Sequence, residues 1–283
     1  MKCIKCDSPN LAFNGRYSNG RQRYKCSDCK KQMSERTGSI FYRSRLPEFI
    51  IRIMVLLNLF NQTKIACLLL FLLFRCKVSE KSVNKWTRKL LYSLPDTYVP
   101  NYPEGTFLIL HADEKFVKIK KEQAYQWNLI DCFGNLLSLI ITMQRDSISA
   151  EKLFKMVHQK LRKLDLKAMI LATDGLQSYI QAKRIFGRQC KHIRSGLKME
   201  MFMHKKRLFC LNNNQAESIN ARSDYFIKRF QNSFENIESA NLWNKSFMLT
   251  RILQQKYAEN SLRTFSMLDN HENLRELSVL VQR

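Results

Sequence analysis

The chain has 283 residues, 45% of them hydrophobic and 11% aromatic, which excludes a disordered tail and allows two or three domains with real cores. Lys and Arg number 48 against 24 Asp and Glu, a formal net charge of +24. Such an excess implies a polyanionic partner, nucleic acid first and an acidic membrane surface second.

The charge is densest at the start. Residues 1–95 hold 19 basic and 5 acidic side chains, a net of +14, against +10 over the remaining 188. Met1-Lys2-Cys3 leads straight into polar sequence with no secretory signal, and nine cysteines without one predict a reducing, cytoplasmic compartment with thiols used as ligands. Cys3, Cys6, Cys26 and Cys29 form two C-x2-C pairs separated by nineteen residues. Two residues between thiols let both sulfurs of a tight knuckle face one ion, and two knuckles complete the tetrahedral thiolate shell of one Zn2+. Four unrelated buried cysteines are the bland alternative. The intervening "LAFNGRYSNGRQRYKC" predicts a hairpin with turns at Asn14-Gly15 and Asn19-Gly20, rich in Arg and Lys. So short a module would fold on its metal, and residues 1–45 are predicted to be a DNA-touching zinc ribbon.

Residues 46–93 predict three helices. Pro47 opens one running to about Phe60, and a second, about 62–74, contains "ACLLLFLLF". That run is too short to span a bilayer, so buried helices rather than a membrane segment are expected. Ser79 caps the third, on which Val83, Trp86 and Leu90 form one apolar face. Lys81, Ser82, Lys85 and Arg88 lie elsewhere on it, the layout of a helix-turn-helix whose third helix reads double-stranded DNA. A helical bundle with a solvated basic face is the alternative. "SLPDTYVPNYPEGT" holds three of the five prolines, and residues 94–106 are expected to be a linker.

Strand patterns follow: "TFLILHAD", "QAYQWNLID" and "LLSLIITM", then an amphipathic helix over 149–163, the strand "AMILATDG", a helix over 176–186 and a short strand near 190–193. Three strands, helix, strand, helix, strand is the element order of a ribonuclease-H-like core, an α/β mixed sheet flanked by helices. Two of its apolar strands end in acids, Asp113 and Asp174. Side by side, those carboxylates would repel unless hard divalent cations sat between them. Glu217, in "NNNQAESINARSDYFIKRF", supplies a third acid from a helix. Two Mg2+ (or Mn2+) ions held by such a set can activate a nucleophile and steady the leaving oxygen of a phosphodiester. Glu114 is expected on the opposite sheet face in a salt bridge, Asp131 in a structural turn, and His111 and His192 as satisfied structural histidines. No Gly-rich phosphate loop occurs, so no nucleotide cofactor is expected.

"HADEKFVKI", "NLIDCFGNLL", "ATDGLQSY" and "NNQAESIN" followed by "KRF" resemble, in order, the successive blocks of the DDE transposases of prokaryotic insertion sequences. The resemblance covers residues 107–250, with 251–283 left as a C-terminal helical tail, and the N-terminal ribbon and helix-turn-helix match an arrangement found in some members. It implies a cut-and-join enzyme of mobile DNA, working as a homodimer or larger assembly on element ends and target, with Asp113, Asp174 and Glu217 as the triad. It also implies a cytoplasmic, nucleoid-associated protein. A non-catalytic DNA-binding regulator with a transposase body is the rival reading, and a general nuclease a third. Forty-two residues separate Asp174 from Glu217, more than in many relatives, and the extra length falls in "SGLKMEMFMHKKRLFCLN". That segment is expected to be a hairpin carrying Lys205, Lys206 and Arg207 near the DNA. Asp224, seven residues after Glu217, is the competing third acid.

Overall fold

The computed structural model describes residues 1–259 apart from 19, 40, 43, 45, 104–105, 195–200, 205–206, 211–213 and 229–233. Lys205 and Lys206 therefore lie outside the described residues. The chain forms two compact units, Met1–Ser93 and Leu94–Arg283.

In the first unit, β1 (Leu11–Arg16), β2 (Gln22–Cys26) and β3 (Gln32–Ser34) make an antiparallel sheet in that order. Asn14-Gly15, expected as a turn, instead lies within β1. The pairing with β2 slips between Phe13 and Arg16, and Gly15 takes φ 73°, so the pair forms a bulge. The chain reverses after it, where Tyr17 and Arg21 are bonded and Gly20 has φ 78°.

Three helices complete the unit: α1 (Glu48–Phe60), α2 (Thr63–Phe74) and α3 (Glu80–Ser93). Arg75 in the left-handed conformation ends α2, and the Ser79 hydroxyl accepts from the Ser82 amide at the start of α3. Ile51, Met54, Leu59, Ala66, Leu70, Val83 and Leu91 are fully buried between the helices. The apolar α2 was expected to be buried, but only Ala66 and Leu70 are, while Leu68, Leu72 and Leu73 are more than half exposed. A twelve-residue helix in a three-helix cluster has neighbours for one stripe, so an all-apolar sequence leaves the rest outside. No helix among the described residues is long and apolar enough to cross a membrane.

The second unit is built on β4 (Leu108–Ile119), β5 (Glu122–Asp131) and β6 (Leu136–Thr142), then α4 (Ser147–Lys163), β7 (Ala168–Thr173), α5 (Gln177–Ala182) and β8 (Lys191–Arg194). The sheet order is β6-β5-β4-β7-β8, antiparallel through β6-β5-β4 and parallel through β4-β7-β8. This is the ribonuclease-H-like mixed sheet that the element order implies. After it come the antiparallel hairpin β9 (Met201–His204) and β10 (Arg207–Cys210), then α6 (Asn214–Lys228) and α7 (Ile237–Glu259). Arg207 opens the second strand of that hairpin. Side-chain alternation divides the sheet. Leu110, Ala112, Trp127 and Leu129 pack with Leu153, Phe154 and Tyr179 of α4 and α5, while Ile130, Leu136 and Leu139 pack with Ala216, Ile219, Phe247 and Met248 of α6 and α7.

Two expected boundaries shift. The segment 94–106 does not hang free: the Tyr98 amide bonds to the Leu137 carbonyl, Val99 is buried, and the Tyr102 phenol donates to Asp131. Its apolar side chains find a sheet to cover, and its prolines hold it extended along that sheet. The expected end of the catalytic domain at residue 250 falls inside α7, whose Asn241 side chain bonds to both backbone groups of Ile141.

Candidate active site

The pairing of β4 with β7 runs in parallel as far as His111 opposite Ala172. Two residues further along each chain are Asp113 and Asp174. Here β7 has ended, Gly175 turns the chain at φ 94°, and Asp174 accepts from the Leu176 amide at 3.0 Å. Contrary to expectation, β4 does not end at its acids but continues to Ile119 on its β5 side. Asp113 therefore stands where β4 outlasts its parallel neighbour.

Asp113 is buried, Asp174 exposed and Glu114 half-buried, and carboxylate oxygens of all three lie within 4.8 Å of one another. Burial first, then the charges of Glu114, Asp174 and Glu217, push the Asp113 carboxyl up to about 7. Glu114 projects to the other sheet face, as its position requires, where it pairs with Arg145 and accepts from the Tyr179 hydroxyl. Its charge is thus spoken for, whereas the Asp113 carboxylate accepts from neutral donors, the Asn220 side chain at 2.7 Å and the Glu114 backbone.

Asn220 belongs to α6 and is itself held by Asn128 of β5 at 2.8 Å. Glu217 lies one turn before it on the same stripe, and its side chain is exposed. Glu217 stands outside the three-acid group, yet near enough to count among the charges acting on Asp113. Asp224, one turn after Asn220, forms an ion pair with Lys115, which also donates to the Asn220 carbonyl at 2.9 Å.

Asp131 is structural, as expected. It accepts from the amides of Phe133 and Asn135 at 2.9 and 2.8 Å and from Tyr102, fixing the β5–β6 turn. His192 bonds through Nε2 to the Thr173 hydroxyl at 2.9 Å. His111 departs from expectation: it is fully buried, but among the described residues neither ring nitrogen has a hydrogen-bond partner, and burial pulls its pKa down to about 4. Asn220, Lys115 and Arg145 were not picked out from sequence. Asn220 alone had a local signal, three residues after Glu217 inside "NNQAESIN".

In the first unit the thiols of Cys3, Cys6, Cys26 and Cys29 converge, with Cys3 Sγ 3.4 Å from Cys29 Sγ and Cys6 Sγ 3.6 Å from Cys26 Sγ. Thiolates about 2.3 Å from a tetrahedral centre stand slightly further apart than this, so the four need little movement to close on zinc. Backbone amides of Cys29 and Asp28 pull the Cys26 thiol down against the effect of burial. On α3, Lys81, Lys85 and Arg88 are exposed at i, i+4 and i+7, one continuous stripe. Ser82 is half-buried, its hydroxyl 3.0 Å from that of Ser79, and so is occupied at the cap.

The family described as "DDE domain" matches residues 108–257, just over half of the chain. The chain belongs to the DDE transposases. As a member it is a metal-dependent polynucleotidyl transferase with a transposition-related catalytic function, and its catalytic domain uses divalent metal. Among solved structures, the HTLV-2 integrase catalytic core domain in complex with magnesium (dimeric form) is similar at 14% identity, covering 54% of this chain and 83% of that one with a TM-score of 0.32. A simian T-cell lymphotropic virus intasome in complex with PP2A regulatory subunit B56 gamma is similar at 13% identity, covering 65% and 67%, also at 0.32. No curated protein matches the chain.

The all-oxygen cluster suits a hard divalent cation. Because the folded chain holds a proton at Asp113 that the unfolded chain releases, stability without metal falls as pH rises from about 4 to about 7. Mg2+ or Mn2+ should therefore raise the melting temperature of this DDE transposase more at pH 8 than at pH 5.5, and Asp113→Asn should remove the difference. Scanning fluorimetry at the two pH values checks this; equal shifts in the parent would contradict it.

Proposed function

We propose that this DDE transposase serves an insertion sequence, recognising the element's ends in double-stranded DNA and performing strand cleavage and strand transfer there. The observation carrying the reading is the parallel register that sets the Asp113 and Asp174 carboxylates together at the end of β7. Asp113, Asp174 and Glu217 are the residues to hold two Mg2+ or Mn2+ ions, which when bound lower the pKa of water and offset charge on a transferring phosphoryl group. Asn220 orients the Asp113 carboxylate toward that task, and the Lys115–Asp224 pair clamps α6 to β4 one turn beyond it. Joining two ends calls for two active sites, so a homodimer or larger assembly on DNA is part of the proposal. So is a cytoplasmic, nucleoid-associated location, which follows from the reducing environment that free thiol ligands require and from the DNA substrate.

Glu217 is favoured over Asp224 as third acid because Asp224 is engaged with Lys115 and lies about 10 Å further along the helix. Asp113→Asn and Glu217→Gln should each lower strand transfer by on the order of 10²–10³-fold, as for losing one electrostatic stabiliser of a transition state. Asp224→Asn, which neutralises the exposed partner of half-buried Lys115 and leaves the acids around Asp113 in place, should remain active. Assays on DNA carrying the inverted repeats that flank the gene decide it. DNA binding without strand transfer in the parent would leave the non-catalytic regulator, and activity in Glu217→Gln alongside loss in Asp224→Asn would move the third ligand.

The first unit is the proposed end-reader, with one Zn2+ on Cys3, Cys6, Cys26 and Cys29 closing a ribbon and α3 entering the DNA groove. Protein purified without chelator should carry about one zinc per chain by elemental analysis, and Cys26→Ser should carry none. Zinc persisting in that variant would place the metal elsewhere.

With Ser82 occupied at the cap, reading falls to Lys81, Lys85 and Arg88. Alanine at a base-contacting position should cost about 1–3 kcal/mol of discrimination between end and random DNA, while a phosphate contact would weaken both alike. Unchanged discrimination in all three variants, measured by competition binding, would put the reader elsewhere.

A further inference from the structure

Beside the acids, on the α4 and α5 face of the sheet, is a group of side chains that the reading above leaves unused. Phe116 lies two residues beyond Glu114 on the same strand face and is 60% exposed, an unusual place for a large ring in the middle of a long strand. It sits directly opposite Tyr125 of β5, with ring centroids 5.3 Å apart. The Arg145 guanidinium lies 5.7 Å from the Phe116 ring centre while it pairs with Glu114, and Glu114 in turn accepts from Tyr179.

A cross-strand aromatic pair by itself would account for the ring contact. It does not account for a guanidinium that spans from the exposed ring to an acid of the catalytic cluster. That arrangement holds Arg145 beside Phe116, whose ring is tilted 55° to that of Tyr125, and ties the group to the active site through Glu114. Along an extended strand Phe116 is about 7 Å from Glu114, whose carboxylate lies within 4.8 Å of those of Asp113 and Asp174. Planar aromatic and guanidinium groups side by side are the surface on which an unstacked base settles, because every base offers a π-face.

We infer that Phe116, Tyr125 and Arg145 form a stacking site for one unpaired nucleobase of the DNA strand whose phosphate lies at Asp113 and Asp174. The inference rests on the active-site reading above and deepens it: the substrate is a strand with a base drawn out of the duplex next to the reacting phosphate. Paired DNA would keep its bases stacked on one another and leave Phe116 in water. An unpaired base covers the ring and offsets part of the cost of its own unstacking.

The test uses the full-length protein and two probes of the same arbitrary duplex, one with a short thymidine overhang and one whose overhang carries abasic residues. The phosphates are then equal and only the base differs. In calcium, an oxygen-seeking cation suited to the acids, fluorescence anisotropy should show the parent binding the thymidine overhang roughly ten-fold more tightly than the abasic one. Phe116→Ala should lose that preference while keeping its affinity for the abasic probe, and Phe116→Trp should keep the preference. The melting temperature of Phe116→Ala should match the parent, because the ring it removes is mostly exposed. A parent without preference, or a Phe116→Ala variant that retains it, would overturn the inference. Strand transfer by the parent and by Asp113→Asn, measured separately, scores the active-site reading, so a failure there is distinguishable from a failure of the platform.

Discussion

Parallel pairing of β4 with β7 forces two carboxylates, Asp113 and Asp174, to the same end of the sheet. Around that repulsion the site is arranged. Asp113 is buried and its ionisation is opposed by burial and by three neighbouring acids, so the charge is costly to keep without a counter-ion. Two further acids are matched with cations of their own: Glu114 with Arg145 on one sheet face, Asp224 with Lys115 on the other. What remains is a small acidic focus in a chain of net charge +24. Such a contrast suits an enzyme acting on a polyanion, because the surrounding surface attracts the substrate while the focus concentrates the divalent cations that the chemistry needs.

The partners also fix geometry. Asn220 spans from Asn128 to Asp113, and Lys115 spans from Asp224 to the Asn220 carbonyl, so α6 is tied to the strands that carry the acid. Glu217 is carried on the same stripe of that helix and takes its position from these bonds. On the opposite face, Tyr179 packs edge-on against Trp127 and bonds to Glu114, so the hydrophobic core and the charged cluster share a side chain. A rigid sheet end of this kind holds carboxylates at fixed separations, which a loop would not.

Much of this was legible in the sequence because it rests on local period and spacing. Alternating apolar residues announced the strands, and "LILHAD" and "AMILAT" could be read as neighbours whose trailing acids meet. The spacing of Cys3, Cys6, Cys26 and Cys29 was as plain. What escaped was set by partners remote in the chain. Asp113 meets Asn220 across 107 residues, and Glu114 meets Arg145 across 31. Local signals misled in three places. Asn14-Gly15 favours a turn but also fits a bulge, which is what the pairing register made of it. The proline-rich 94–106 reads as a linker until Val99 and Tyr102 find a sheet to cover. The leucines of α2 read as core, but a helix has only so many neighbours, and Leu72 and Leu73 face outward. His111 was expected to be satisfied and among the described residues finds no partner, which no pattern within "LHADEK" could reveal.

The central claim is that Asp113 and Asp174 are adjacent because they share divalent cations. Anomalous diffraction from crystals of the protein grown with Mn2+ tests it most directly, since manganese can be located independently of the protein atoms. The account predicts manganese bound by carboxylate oxygens of both Asp113 and Asp174, with Glu217 turned toward it and Glu114 still paired with Arg145. Manganese absent from this sheet end at saturating concentration, or bound there without Asp174, would contradict it.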